Sequence, residues 1–339
     1  MKIAQTSNSR DSAYRGLLEE VSFQPVFIMG DHRSGTTLLY QMLDAAQCFN
    51  VVRAYHVIKY DEIISNYVNR TEDHAKKELS DRFAELGVTD RMIDGVGVTP
   101  DLPEEYGFIL DSTQNKAQLS PENLPRFIEL CKKLQYVSDP GRPLLLKNPW
   151  DFLQFMYVKQ VLPAAKFIFI HREPIQVINS QLRAIRSLVA ARNAYLAFIA
   201  QWYREMYRHP LRRYATKLLF SARFDLGLRI TSRHVARGAN YFLEHVDSLP
   251  QPDHISIRYE DLCTNPGATV KQVLDFLGLK KSVPVAYERF IAPRPIRLLP
   301  EVARRQKALR EQLRPYYVFC GYDLAQPTLP VELPSRTSA

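Results

Sequence analysis

The stretch Val26-Phe27-Ile28-Met29-Gly30-Asp31-His32-Arg33-Ser34-Gly35-Thr36-Thr37-Leu38-Leu39 decides the fold. The apolar run from Pro25 to Gly30 reads as a buried strand, and Leu38, Leu39, Met42 and Leu43 recur at helical spacing. Strand, glycine loop and helix follow without a gap. Such a junction aims successive backbone N–H groups and the positive end of the helix dipole at one point, as a phosphate requires. Gly30 and Gly35 have the spacing of a nucleoside-triphosphate loop, which places Lys directly after the second glycine and then Ser or Thr for magnesium. Here that Lys is Thr36, and the cation stands two residues before the glycine, at Arg33.

Further β-rich runs occur at Pro143 to Lys147, Lys166 to His171 and His254 to Tyr259, with a short strand expected near Val51. They are nearly continuous in hydrophobicity and separated by helical patterns over Asp73 to Leu86, Glu122 to Tyr136 and Pro266 to Leu277. This predicts an α/β protein with a central parallel sheet covered by helices on both faces, like the fold of the P-loop nucleotidases. No linker or repeat divides the sequence. The expected organisation is an N-terminal arm over 1–22, one domain over 23–325 with helical insertions at about 56–140 and 183–250, and a frayed tail over 326–339.

A second anion motif lies downstream. Lys166-Phe-Ile-Phe-Ile-His171-Arg172-Glu-Pro174-Ile-Gln-Val-Ile-Asn-Ser180 reads as strand, turn and helix, with Arg172 at the strand end and Ser180 about two helical turns on. With Arg33-Ser34-Gly35-Thr36-Thr37, it resembles the sulfotransferases that use 3′-phosphoadenosine 5′-phosphosulfate (PAPS), above all their bacterial and Golgi-type branch. The 5′-phosphosulfate loop of that branch reads Pro-Arg-Ser-Gly-Thr-Thr, and His32 replaces its proline. The similarity runs from about Phe23 to Leu279, because Ile257-Arg-Tyr259-Glu260-Asp-Leu262 resembles a late Tyr-Glu-Asp-Leu element, expected to be structural. By this resemblance, Asp31, His32, Arg33, Ser34, Gly35, Thr36 and Thr37 bind the 5′-phosphosulfate, and Arg172 and Ser180 bind the 3′-phosphate.

The implied reaction moves a sulfuryl group from PAPS to a hydroxyl or amine. Preorganised cations near the leaving oxygen are its main lever. Arg33 is one. Lys147, closing the run Leu144-Leu-Leu-Lys147, stands where related sulfotransferases carry a Lys that contacts the leaving group. A general base must take the acceptor proton. His56, just after the second strand, falls about where Golgi-type relatives carry a catalytic Glu, and an imidazole titrates near neutrality. Glu104 and Glu105, in a Pro-Glu-Glu-Tyr stretch resembling an acidic motif of bacterial relatives, are the alternative. The scheme needs no metal, and the chain offers no compact His/Cys/Asp cluster to bind one.

The composition suits this reading. At 46% hydrophobic and 24% charged, the 339 residues describe a globular chain rather than a disordered or fibrous one. The first 25 residues carry no apolar run of signal-peptide length, and the four cysteines are far apart, which suits a cytoplasmic protein. The net charge of +9 is local. From Arg183 to Arg237 twelve Lys/Arg face Glu205 and Asp225, leaving the remainder near neutral. That segment reads mainly as an amphipathic helix on a core, Tyr195 to Met206 giving its apolar face. It also offers peripheral contact with an anionic membrane or an acidic substrate. Nucleic acid is not expected as a partner, since no zinc-finger or RNP motif is present. The rival functions are a P-loop kinase or NTPase, against which Thr36 speaks, and a non-enzymatic anion-binding protein. The acceptor is not legible, because fold and donor do not choose it.

Overall fold

The computed structural model describes residues 9–91, 96–114, 117–223, 225–291 and 297–325. The tail expected to fray, 326–339, and the first eight residues of the arm lie outside them. The chain is α/β, with a central five-stranded parallel sheet flanked by helices. Its strands are β1 (Pro25–Met29), β2 (Asn50–Val51), β3 (Leu144–Lys147), β4 (Lys166–His171) and β5 (His254–Arg258), in the order β2-β3-β1-β4-β5. Every residue of β1 and β3 is buried, as expected of strands covered on both faces.

The chain divides into two compact units. The first comprises Met1–Pro25, Phe49–Leu146 and Asn193–Glu205, and the second Val26–Cys48, Lys147–Arg192 and Met206–Ala339. In the second, β1 pairs with β4 in parallel, Val26 opposite Lys166 through Met29 opposite Phe169. β4 in turn pairs with β5, Phe167 opposite His254 through His171 opposite Arg258. The helix Pro174–Ala190 follows β4 with Pro at its first turn, where the missing N–H costs nothing. Its buried face includes Ile175, Ile178 and Leu182.

In the first unit, β2 pairs with β3, Asn50 opposite Leu144. The described part of the N-terminal arm is a 3-10 helix, Arg10–Leu18. It is held by Lys133, fully buried, whose ammonium lies 2.9 Å from the carboxylates of both Asp11 and Glu129 and donates to the carbonyl of Tyr60. A buried cation is tolerated only with partners of this kind.

The amphipathic helix expected across Tyr195 to Met206 is two helices, Ala194–Ile199 and Gln201–Arg208, separated at Ala200. Two devices interrupt it. Asn193 caps the first helix by accepting from the Leu196 N–H, and Asp111 Oδ2 accepts from the N–H groups of Gln201 and Trp202 at the start of the second.

The close approach of the loop after β1 to the end of β4 makes one position intolerant. A Cβ at Gly30 would stand 2.6 Å from Ser34 Oγ and 2.7 Å from the Ile170 carbonyl oxygen, and the second of these is backbone that cannot swing aside. Gly30→Ala is expected to destabilise the protein by about 2 kcal/mol or more, read as a lower midpoint in urea unfolding; an unchanged midpoint would refute this packing.

Candidate active site

The loop between β1 and its following helix, Thr36–Ala45, is built by two left-handed residues. Arg33 has φ +72° and Gly35 φ +104°. The Ser34 N–H donates to the Asp31 carbonyl at 3.1 Å, closing a tight turn with Arg33 at its third position. For a non-glycine residue that conformation is strained, and strain of this kind gathers at ligand clamps. The Asp31 carboxylate braces the turn, accepting from the His32 N–H at 2.7 Å and from Gln181 Nε2 at 3.0 Å. Gln181 also donates to the His32 carbonyl, and the His32 ring meets Trp150 edge-on. His234 lies 3.5 Å from Asp31, whose carboxylate raises the imidazole pKa above its ordinary value.

Five of the residues singled out from sequence converge on this loop. Arg33 Nε donates to Ser180 Oγ at 3.0 Å, and Arg172 Nη1 donates to the Arg33 carbonyl at 3.0 Å. Lys147, fully buried at the end of β3, donates to Thr37 Oγ1 at 3.1 Å. Three cations thus stand at one helix N-terminus, where the dipole adds further positive potential. Ser34 Oγ is buried without a hydrogen-bond partner among the described residues. A buried hydroxyl in that condition, in a loop that Arg172 and Lys147 reach, fits an anionic ligand.

Tyr259, at the start of the Tyr-Glu-Asp-Leu element, packs its ring against this loop. A Cβ at Gly35 would clash with Tyr259 Cδ2, so the ring occupies the space the glycine leaves. The Arg172 guanidinium lies over the same ring, 4.3 Å from its centroid. Gln176, one helical turn after Arg172, accepts from both Nε and Nη2 of the guanidinium. The neighbouring Glu260 accepts from the Glu173 N–H and the Tyr322 hydroxyl, tying the turn after β4 to the start of the Tyr-Glu-Asp-Leu element.

The model of the sulfotransferase family matches residues 25–224, which contain both anion motifs and Lys147. The chain belongs to the sulfotransferase family. Among solved structures it is similar to sulfotransferase STF9 from Mycobacterium avium, with TM-score 0.61 and 14% identity over 94% of this chain and 82% of that one. It is also similar to sulfotransferase STF1 from Mycobacterium tuberculosis H37Rv, with TM-score 0.53 and 15% identity over 90% and 80% of the respective chains. At such identities the likeness concerns the fold. No curated protein matches the sequence.

The candidate bases of this sulfotransferase lie in its first unit. The segments around His56 and Glu104 run side by side there, Arg53 bridging to Pro103 and the Glu104 N–H donating to the Val52 carbonyl at 2.9 Å. His56 is buried, and its Nδ1 accepts from the Arg53 N–H at 3.1 Å. Burial first, and the Arg53 charge second, push its pKa down to about 3, away from the neutral range expected of an imidazole. Glu104 is fully buried, Oε1 accepting from the Tyr195 hydroxyl at 2.9 Å and lying 3.3 Å from Arg91, while Oε2 accepts from the Glu105 N–H. Glu105 is buried beside it. Among the described residues no cluster of three or more His, Cys, Asp or Glu could hold a metal ion.

The stacking of Arg172 on Tyr259 has a measurable consequence for this sulfotransferase. Tyr259→Ala is expected to weaken binding of adenosine 3′,5′-bisphosphate about tenfold in calorimetry, and Tyr259→Phe, which keeps the ring, to leave it within about twofold. Equal losses in both variants would remove the role assigned to the ring.

Proposed function

We propose that this sulfotransferase takes its sulfuryl group from PAPS and transfers it to a hydroxyl or amine. The observation that supports this most directly is the convergence of Arg33, Lys147, Arg172 and Ser180 on one loop and helix N-terminus. PAPS supplies an activated sulfuryl group, and the rest is the work of this chain's residues. The loop backbone from Ser34 to Thr37 and the Arg33 side chain hold the 5′-phosphosulfate. Arg172, fixed by Gln176 and Tyr259, and Ser180 hold the 3′-phosphate and so discriminate against nucleotides lacking it.

In the transfer, the acceptor oxygen or nitrogen forms a bond to sulfur while the bond from sulfur to the bridging oxygen of the 5′-phosphate breaks. Adenosine 3′,5′-bisphosphate leaves with that electron pair. Lys147 and Arg33 stabilise the charge growing on the bridging oxygen. The acceptor's proton passes to a base, for which His56, Glu104 and Glu105 are the candidates. His56 has its Nδ1 lone pair engaged by the Arg53 N–H, so the neutral ring carries its proton on Nε2 and offers no second acceptor. Glu104 is bound at both oxygens.

Calorimetry with adenosine 3′,5′-bisphosphate tests the donor site. Wild type is expected to bind, and Arg172→Ala to lose about 10- to 100-fold in affinity, the worth of a charge-assisted bond to phosphate. Lys147→Ala is expected to lower kcat by about 10²–10³ with little change in that affinity. No binding by the wild type would sink the donor assignment.

The pH–rate profile tests the base. An acidic limb abolished by Glu104→Gln or by Glu105→Gln and retained in His56→Asn is the expected result for a carboxylate base. Loss of the limb in His56→Asn alone would transfer the role to the imidazole.

A further inference from the structure

The helix Pro210–Leu219 leaves its apolar arc exposed. At 100° per residue, Leu211, Tyr214, Leu218 and Leu219 form one apolar arc, with Arg212, Arg213 and Lys217 on the remaining surface. A surface helix ordinarily turns its apolar arc inward. Here none of its residues is buried, and Leu211, Tyr214 and Leu218 are 84%, 68% and 49% exposed. Its contacts with the protein are few. Arg213 lies over the Tyr207 ring at 5.0 Å, and Tyr207 is anchored by its hydroxyl to the Leu188 carbonyl. The helix end is fixed as well, since Arg186 Nε donates to the Phe220 carbonyl at 2.7 Å.

The apolar surface continues past the turn. Gly227, at the start of the helix Leu226–His245, lies against Phe220, so close that a Cβ there would stand 2.9 Å from the Phe220 Cα. Leu226 and Ile230 on that second helix are 41% and 43% exposed. Residues 206–237 hold eight Lys/Arg and one acid, Asp225, which is drawn to Arg304 and Arg305.

We propose that this pair of helices docks on an anionic lipid bilayer, Leu211, Tyr214 and Leu218 entering the headgroup boundary while Arg212 and Lys217 meet lipid phosphates and carboxylates. Two features favour a lipid surface over an acidic protein. The apolar side chains project outward rather than line a groove, and the cations flank the apolar arc on both sides, as in helices that lie in a membrane interface. Tyrosine, apolar in body and polar at its tip, suits that depth. Among the described residues no helix is long and apolar enough to cross a membrane, so the contact is peripheral. It is independent of how the donor is bound.

The test is co-sedimentation of the purified full chain with vesicles of phosphatidylcholine, alone or with about 30% phosphatidylserine. Wild type is expected to bind the anionic vesicles at about 50 mM salt, to leave them at about 0.5 M, and to ignore the neutral ones. Arg212→Gln with Lys217→Gln is expected to lower the partition coefficient about 25-fold, roughly fivefold per cation removed. Leu211→Ser with Tyr214→Ser is expected to lower it at least about tenfold. Far-ultraviolet circular dichroism and the melting temperature, unchanged in both double variants, separate lost docking from lost folding. No binding by wild type at low salt, equal binding to neutral vesicles, or wild-type-like partition of a folded double variant would each overturn the proposal. So would light scattering that shows dimers without lipid, dispersed by Leu211→Ser with Tyr214→Ser, since the apolar arc would then be covered by a second copy of the chain.

Discussion

The loop after β1 can close over the end of β4 only because two of its positions lack a side chain. Gly30 leaves room for Ser34 and for the Ile170 carbonyl, and Gly35 leaves room for the ring of Tyr259. The two absences do different things. The first lets the loop turn tightly enough to set its N–H groups at the helix start. The second lets an aromatic ring approach that start, and the same ring supports the Arg172 guanidinium. The Tyr-Glu-Asp-Leu element is thereby joined to the loop after β1 through van der Waals contact with a glycine, a constraint that any side chain at residue 35 would break. The left-handed φ of Gly35 points the same way, since an L side chain there is strained whatever the space.

The cationic character of the site is assembled from three elements rather than from one motif. A nucleoside-triphosphate loop carries its lysine inside the loop. In this chain the lysine arrives from β3, reaching Thr37 with Lys147, while one arginine comes from the loop and another from the end of β4. Burying an ammonium at the end of a strand is costly unless it finds partners, and the Thr37 hydroxyl is one. Moving the lysine off the loop leaves Thr36 to begin the helix as a small, buried hydroxyl, so the helix N-terminus stays open to an anion while the charge comes from the side.

Much of this was legible in the sequence because it is local. Strands with continuous apolar runs announce themselves, and β4 spans Lys166–His171 and the late helix Pro266–Leu277 as their patterns required. Arg172 and Ser180 were paired by resemblance, since the family's 3′-phosphate site carries an Arg and a Ser at that spacing in a strand, turn and helix. What escaped is long-range. Nothing near Tyr259 in the chain signals Gly35 or Arg172, and only the parallel pairing of β4 with β5 brings them together. The break at Ala200 was hidden for the same reason, since the Asp111 carboxylate that accepts from Gln201 and Trp202 comes from a distant segment and outweighs an unbroken helical pattern. Burial accounts for His56. Its residue type promised a pKa near neutrality, and the loss of hydration brings it to about 3.

Arg172 shows how a protein can fix a charge without spending it. Its hydrogen bonds go to the Gln176 amide and the Arg33 carbonyl, and its face rests on an aromatic ring, so all three supports are neutral. The nearby Glu260 carboxylate is directed to the Glu173 N–H and the Tyr322 hydroxyl. A carboxylate in place of Gln176 would hold the guanidinium more tightly, yet it would compete with any phosphate for the same donors and repel it at short range. Neutral acceptors orient the fork and leave its charge for a ligand. Because the same guanidinium also donates to the loop at Arg33, an anion that binds Arg172 bears on the loop's own geometry. The loop after β1 and the end of β4 are therefore one mechanical structure, in which the strained φ of Arg33 is held from outside the loop by Arg172.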